Sequence, residues 1–103
     1  MTAPDARPAR PEPLWRDLLG EHLRETRQQR GDTLRAVARR ANLSIQYLSE
    51  VERGRKEASS EVIGAVADAL GLTLLDLTLG VAGRLHDARS TAAPTRGTVA
   101  LAA

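Results

Sequence analysis

The chain has no cysteine and no phenylalanine, and Trp15 and Tyr47 are its only aromatic residues. Without cysteine there is no disulfide, no thiolate zinc site and no cysteine nucleophile, a composition in keeping with a cytoplasmic protein. Without phenylalanine, any core must be assembled from Leu, Val, Ile and Ala. Long apolar runs are missing too. The stretch over residues 70–79 is interrupted by Asp76 and falls short of the ~18 residues that a membrane-spanning helix requires. The early arginines are not followed by the apolar centre of a signal peptide. His22 and His86 are the only histidines, far apart and without a partner at metal-ligand spacing. There is no glycine-rich phosphate loop and no Gly-x-Ser-x-Gly elbow. These absences argue against an enzyme, a metal or cofactor centre and a membrane protein.

What remains is a chain of 103 residues, enough for one domain with a modest core. Alanine, leucine, arginine and glutamate are common and β-branched residues are sparse, which favours helices. Fourteen of the fifteen basic residues are arginine, Lys56 being the single lysine. Either bidentate contacts or a GC-rich genome accounts for that bias. Net charge is only +2, so its distribution carries more information. Residues 1–30 hold six basic and five acidic side chains, whereas residues 33–57 hold six basic (Arg35, Arg39, Arg40, Arg53, Arg55, Lys56) against three acidic. A local excess of that kind suits a polyanion.

Four prolines within residues 1–13 mark a flexible arm. An amphipathic helix is expected from about Leu14, with Leu14, Leu18, Leu19 and Leu23 on its apolar stripe and Gly31 at its end. Thr33 is placed to cap a short second helix burying Leu34, Val37, Ala38 and Ala41. A third helix is expected from Ile45 to Arg53, with Leu48 and Val51 inward. Ser59 or Ser60 caps a fourth, burying Val62, Ile63, Val66, Ala67 and Leu70 and ending at Gly71. Thr73 caps a fifth that covers at least residues 74–79. From about Ala88 the composition turns to Ser, Thr, Ala, Pro and Gly and reads as a disordered tail. The expected architecture is all-α: a compact five-helix domain over residues 14–87 between flexible tails, 1–13 and 88–103.

The most informative stretch is TLRAVARRANLSIQYLSEVERG, residues 33–54. Ala38 is small enough to let two helices approach. Asn42 stands where the chain must turn through a left-handed residue. Leu43 plugs the corner and Ser44 caps the next helix. Together these define a helix-turn-helix. The segment resembles the XRE/Cro family of phage-repressor-type helix-turn-helix domains, over about residues 18–77. Within that family the chain is similar to the small actinobacterial activators of Clp protease genes. The Pro-rich arm, TLRAVARRANLS, EVIGAVADALGLTLLDL and the short apolar C-terminus carry that likeness.

The resemblance implies a homodimer on a palindromic operator in double-stranded DNA, with RNA polymerase as a further partner and no cofactor. Docking the N-terminus of the third helix into the major groove puts Ser44, Ile45, Gln46, Ser49 and Glu50 at base edges. Gln46 is suited to adenine, Ile45 to a thymine methyl and Glu50 to a cytosine amine. The competing roles are a solvated glutamine at Gln46 and, at Glu50, a carboxylate that orients Arg53. Phosphate contacts fall to Thr33, Arg35, Tyr47, Arg53, Arg55 and Lys56. Many relatives carry a backbone-touching glutamine where this chain has Leu34. Arg39 and Arg40 read as a solvated face or as long-range steering charge. The family's acid at Glu52 implies a structural ion pair with Arg27. In the fifth helix Leu72, Leu75 and Leu79 suffice to close the core, which leaves Leu74, Leu77, Val81 and Leu85 as a dimer seam running past Gly80 and Gly83 on a weakened helix. The ending at Leu101, Ala102 and Ala103 is similar to the LAA signal that Clp proteases read, or is a plain alanine-rich end. The alternative from another class is an antitoxin-like subunit that uses the same fold to bind a protein.

Overall fold

The computed structural model describes residues 13–92. The arm, apart from Pro13, and the LAA ending at Leu101, Ala102 and Ala103 lie outside the described residues. Five helices follow one another: α1 Trp15–Arg30, α2 Leu34–Ala41, α3 Ile45–Glu52, α4 Ser60–Ala69 and α5 Leu74–Ala92. The starts of α2 to α5 are set by short polar side chains. The hydroxyls of Thr33, Ser44 and Ser59 accept from the amides of Ala36, Tyr47 and Val62 at 3.0, 3.0 and 3.2 Å. Thr73 and Asp76 cap α5 reciprocally, each side chain accepting from the other's amide at 3.0 Å. These satisfy amides that the first turn of a helix leaves without partners.

The core is aliphatic: Leu18, Leu19 and Leu23 from α1, Val37, Ala38 and Ala41 from α2, Leu48 and Val51 from α3, Val66, Ala67 and Leu70 around α4. Val62 and Ile63 are half-buried against it. Leu14 caps α1 instead of belonging to its buried stripe, and is 49% exposed. α1 lies against α3 and α5, and α2 against α3 and α4. The α1–α3 approach depends on Gly20, where a methyl group would meet the carbonyl oxygens of Val51 and Glu52. The α1–α5 approach depends on Gly80, whose Cα faces the His22 ring with no room for a side chain.

α5 departs from the sequence expectation in two ways. It is one unbroken helix to Ala92, through Gly80 and Gly83 and five residues beyond 87. Packing on α1 supplies the stability that two glycines remove, about 1 kcal/mol each. Its faces are also exchanged in part, although Leu72 packs on the core and Leu74 is exposed as expected. Leu77 and Val81 are each only 1% exposed and belong to the core, with Leu85 half-buried against it. Leu75 and Leu79, expected to close the core, are 66% and 61% exposed. Leu77 and Val81 therefore cannot form a dimer seam while the domain stays folded.

Candidate nucleic-acid interface

Between α2 and α3 the chain turns in three residues. Asn42 takes the left-handed conformation (φ 60°, ψ 46°) and is the only non-glycine residue with positive φ among the described residues. Its amide donates to the Arg39 carbonyl at 3.1 Å, and the Leu43 amide donates to the Ala38 carbonyl at 2.8 Å, closing the C-terminus of α2. Leu43 is half-buried against the core, and Ser44 begins α3. The turn fixes α3 with its buried side on Leu48 and Val51 and its first turn outward. Ser44, Ile45 and Gln46 are exposed there, while Tyr47, Ser49 and Glu50 are half-buried. Gln46 has no hydrogen-bond partner among the described residues. An unengaged amide on an exposed first turn is free to bond in two directions.

The Arg27–Glu52 pair holds the other end of α3. Arg27 Nε donates to Glu52 Oε2 at 2.8 Å, and Nη2 donates to Oε1 at 3.0 Å. The Arg27 side chain is 13% exposed and that of Glu52 5%. The bidentate carboxylate keeps Arg27 charged, raising its pKa. A third donor, Nη1, reaches the Asp32 carbonyl at 3.1 Å. This pair joins α1 to the last turn of α3 and does not face outward.

Most of the remaining arginines among the described residues fall into two groups. Arg16 donates to the Gly54 carbonyl and the Glu57 carboxylate, at 2.9 and 3.0 Å. Arg30 and Arg40 share Asp32, at 3.0 and 2.8 Å, which holds the Asp32 carboxyl below the usual range. Arg40 stays on the solvated face expected for it, there paired to Asp32. Arg84 holds Glu25 at 2.7 Å and Glu21 at 3.5 Å. The guanidinium groups of Arg35, Arg39, Arg53 and Arg55 instead have neither a carboxylate nor a hydrogen-bond partner among the described residues, and all four residues, on α2 or just past α3, are exposed. Lys56 Nζ lies 4.0 Å from Glu50 Oε1, so the partner of Glu50 is Lys56 and not Arg53.

Sequence reading passed over two residues. Arg84 ties α5 to α1, a long-range contact with no local signature. Arg24, on α1, is exposed and makes no hydrogen bond or salt bridge among the described residues, feeling only the charge of the neighbouring Glu25. It lines a cleft with Arg27, Leu34, Ser49, Glu52 and Arg53.

Residues 18–79 match the model of a helix-turn-helix domain family. Over 61 residues the chain is 51% identical to the transcriptional regulator ClgR of Mycobacterium tuberculosis, a match that covers 59% of this chain and 54% of that protein. The chain thus spans about half the length of the curated relatives it matches. The crystal structure of the clp gene regulator ClgR from Corynebacterium glutamicum superposes with a TM-score of 0.71 at 47% identity, covering 74% of this chain and 81% of that one. The restriction-modification controller protein C.AhdI from Aeromonas hydrophila follows at 31% identity and a TM-score of 0.58, covering 60% of this chain and 94% of that one.

Proposed function

The chain belongs to the XRE-type helix-turn-helix regulators, and from that membership we propose that it is a homodimeric transcription factor that reads a palindromic operator and activates Clp protease genes. One observation carries the DNA-binding part. Arg16, Arg30 and Arg84, away from α2 and α3, are spent on carboxylates, whereas Arg35 and Arg39 on α2 and Arg53 and Arg55 just past α3 are unspent. Unpaired cations clustered on and beside a helix-turn-helix are the electrostatic footprint of a phosphate backbone. The Clp part is supported by likeness to the two ClgR proteins, and RNA polymerase enters as the partner that activation requires.

In this reading Ser44, Ile45 and Gln46 enter the major groove, with Gln46 bonding an adenine through both ends of its amide. Ser49 and Glu50 follow at the edge of the contact. Arg35, Arg53, Arg55, Lys56 and the hydroxyls of Thr33 and Tyr47 hold phosphates on either side. The dimer seam is assigned to Leu74, Leu75 and Leu79, the leucines that α5 leaves exposed, and it places two copies of α3 about 34 Å apart.

Selection from randomised duplexes tests this directly. A palindrome is expected, and Gln46→Ala should relax preference at one base pair per half-site, by about 1–3 kcal/mol. Arg55→Ala should weaken all sequences alike and lower the salt slope by about one per protomer. Absence of binding at low salt, or indifference to both substitutions, overturns the reading.

A further inference from the structure

We propose that Arg24, with Arg53, forms a clamp for a single DNA phosphodiester in the cleft between α1 and α3, extending the nucleic-acid contact onto α1. The proposal rests on the DNA-binding reading above and adds a site to it. Gly20, Arg24 and Arg27 are spaced i, i+4, i+7 and so share one face of α1. That face lies on α3. Gly20 allows the backbone contact with Val51 and Glu52, and Arg27 is committed to both oxygens of Glu52. Arg24 stands between these two fixed points, and its guanidinium meets no acceptor among the described residues.

The lining of the cleft selects its occupant. Arg24, Arg27 and Arg53 contribute three positive charges and Glu52 one negative charge. The single charge of Glu52 is matched by Arg27, which binds both of its oxygens, so the charges of Arg24 and Arg53 remain in excess. Two cations are left facing an opening walled by Leu34 and by the half-buried Ser49, whose hydroxyl supplies one more donor. Ser49 lies one helical turn from Gln46 on α3, so an anion held here sits beside the base-reading turn. A group with several acceptor oxygens and negative charge matches two guanidinium forks and a hydroxyl. Each phosphodiester of a DNA strand offers that chemistry, and so does free inorganic phosphate.

The experiment compares wild-type protein with Arg24→Ala and Arg24→Lys on the selected operator, across a salt series. Melting curves establish that both variants are folded, as expected for an exposed residue that makes no hydrogen bond or salt bridge among the described residues. Arg24→Ala should lose affinity about tenfold for every sequence alike, and the slope of log K against log salt should fall by about one per protomer. Arg24→Lys should recover the slope but only part of the affinity, since an ammonium lacks the fork. Replacing single phosphates by neutral methylphosphonates should reveal one position per half-site that weakens wild type and leaves Arg24→Ala unaffected. Wild-type binding with an unchanged Arg24→Ala slope overturns the clamp and leaves the DNA reading intact. Failure of wild type itself to bind overturns the DNA reading. Titration of inorganic phosphate without DNA separates the two sources. Millimolar-range binding that disappears in Arg24→Ala, with operator affinity unaltered, would assign the cleft to a small anion and overturn the proposal.

Discussion

Arg27 and Glu52 show how a paired charge behaves when it is nearly enclosed. Both carboxylate oxygens and three guanidinium nitrogens are satisfied, at 2.8–3.1 Å. Taking such ions out of water offsets most of their attraction, so the pair adds little net stability, but losing one partner strands the other. Glu52→Ala should cost about 3–5 kcal/mol, which in a domain of this size is a fall in Tm of well over 10 °C. The double variant Arg27→Met with Glu52→Leu should melt higher than Glu52→Ala alone. Thermal unfolding followed by circular dichroism measures both, and an equal loss in the two variants would show that burial of the ions is not what sets the cost. The partner of Glu52 was legible because family likeness pointed to Arg27. The partner of Glu50 was not: Lys56 lies six residues on, beyond the end of the helix, where helical spacing gives no guidance.

At the scale of elements, local chemistry was readable and cross-helix chemistry was not. Thr33, Ser44, Ser59, Thr73 and Asn42 act through amides or backbone angles within a few residues, and each appears where the sequence places it. α5 has leucine or valine at 74, 75, 77, 79, 81 and 85, on every side, so no single period marks its inner face. The face is chosen by docking on α1, where Gly80 admits the His22 ring and Arg84 Nε donates to His22 Nδ1 at 3.0 Å. Burial, and then the nearby Arg84 cation, lower the His22 pKa from 6.5, against a smaller opposing pull from Glu25. Glu21 and Glu25 face the same group through Arg84. The sign follows from which state binds the proton more readily. Below 6.5 the unfolded chain protonates His22 while the folded one resists, so stability present above that value is lost as pH falls through the folded pKa. Protonation would also set a second donor against Arg84 Nε. Tm should decline between about pH 7 and pH 5.5, a window above the range where carboxylates titrate. His22→Gln, which retains an acceptor, should flatten that decline. A decline of equal depth in His22→Gln would show that other groups cause it.

Over the whole molecule, apolar surface is unevenly shared. Trp15, Leu74, Leu75 and Leu79 are half or more exposed, and Trp15 and Leu74 line one groove with Ile63, Gly64 and Thr78. Trp15 and Leu74 on one groove, with Leu75 and Leu79 one turn apart on the same helix as Leu74, point to a partner surface along α5. A two-fold axis through α5 would let each patch cover its twin, as an isologous interface requires. This differs testably from the seam expected from periodicity alone. Leu75→Glu should keep the helical spectrum, give monomer mass in sedimentation at micromolar concentration, and lose operator affinity, because each half-site must then be bound alone. Leu77→Glu should instead bring a carboxylate to a position 1% exposed and unfold the domain, since an unpaired buried charge costs more than a marginally stable domain can supply. If Leu77→Glu gave a folded monomer and Leu75→Glu remained dimeric, the faces of α5 would have to be exchanged again. The two variants differ by half a turn of one helix, so they distinguish a leucine that holds the protomer together from one that holds two protomers to each other.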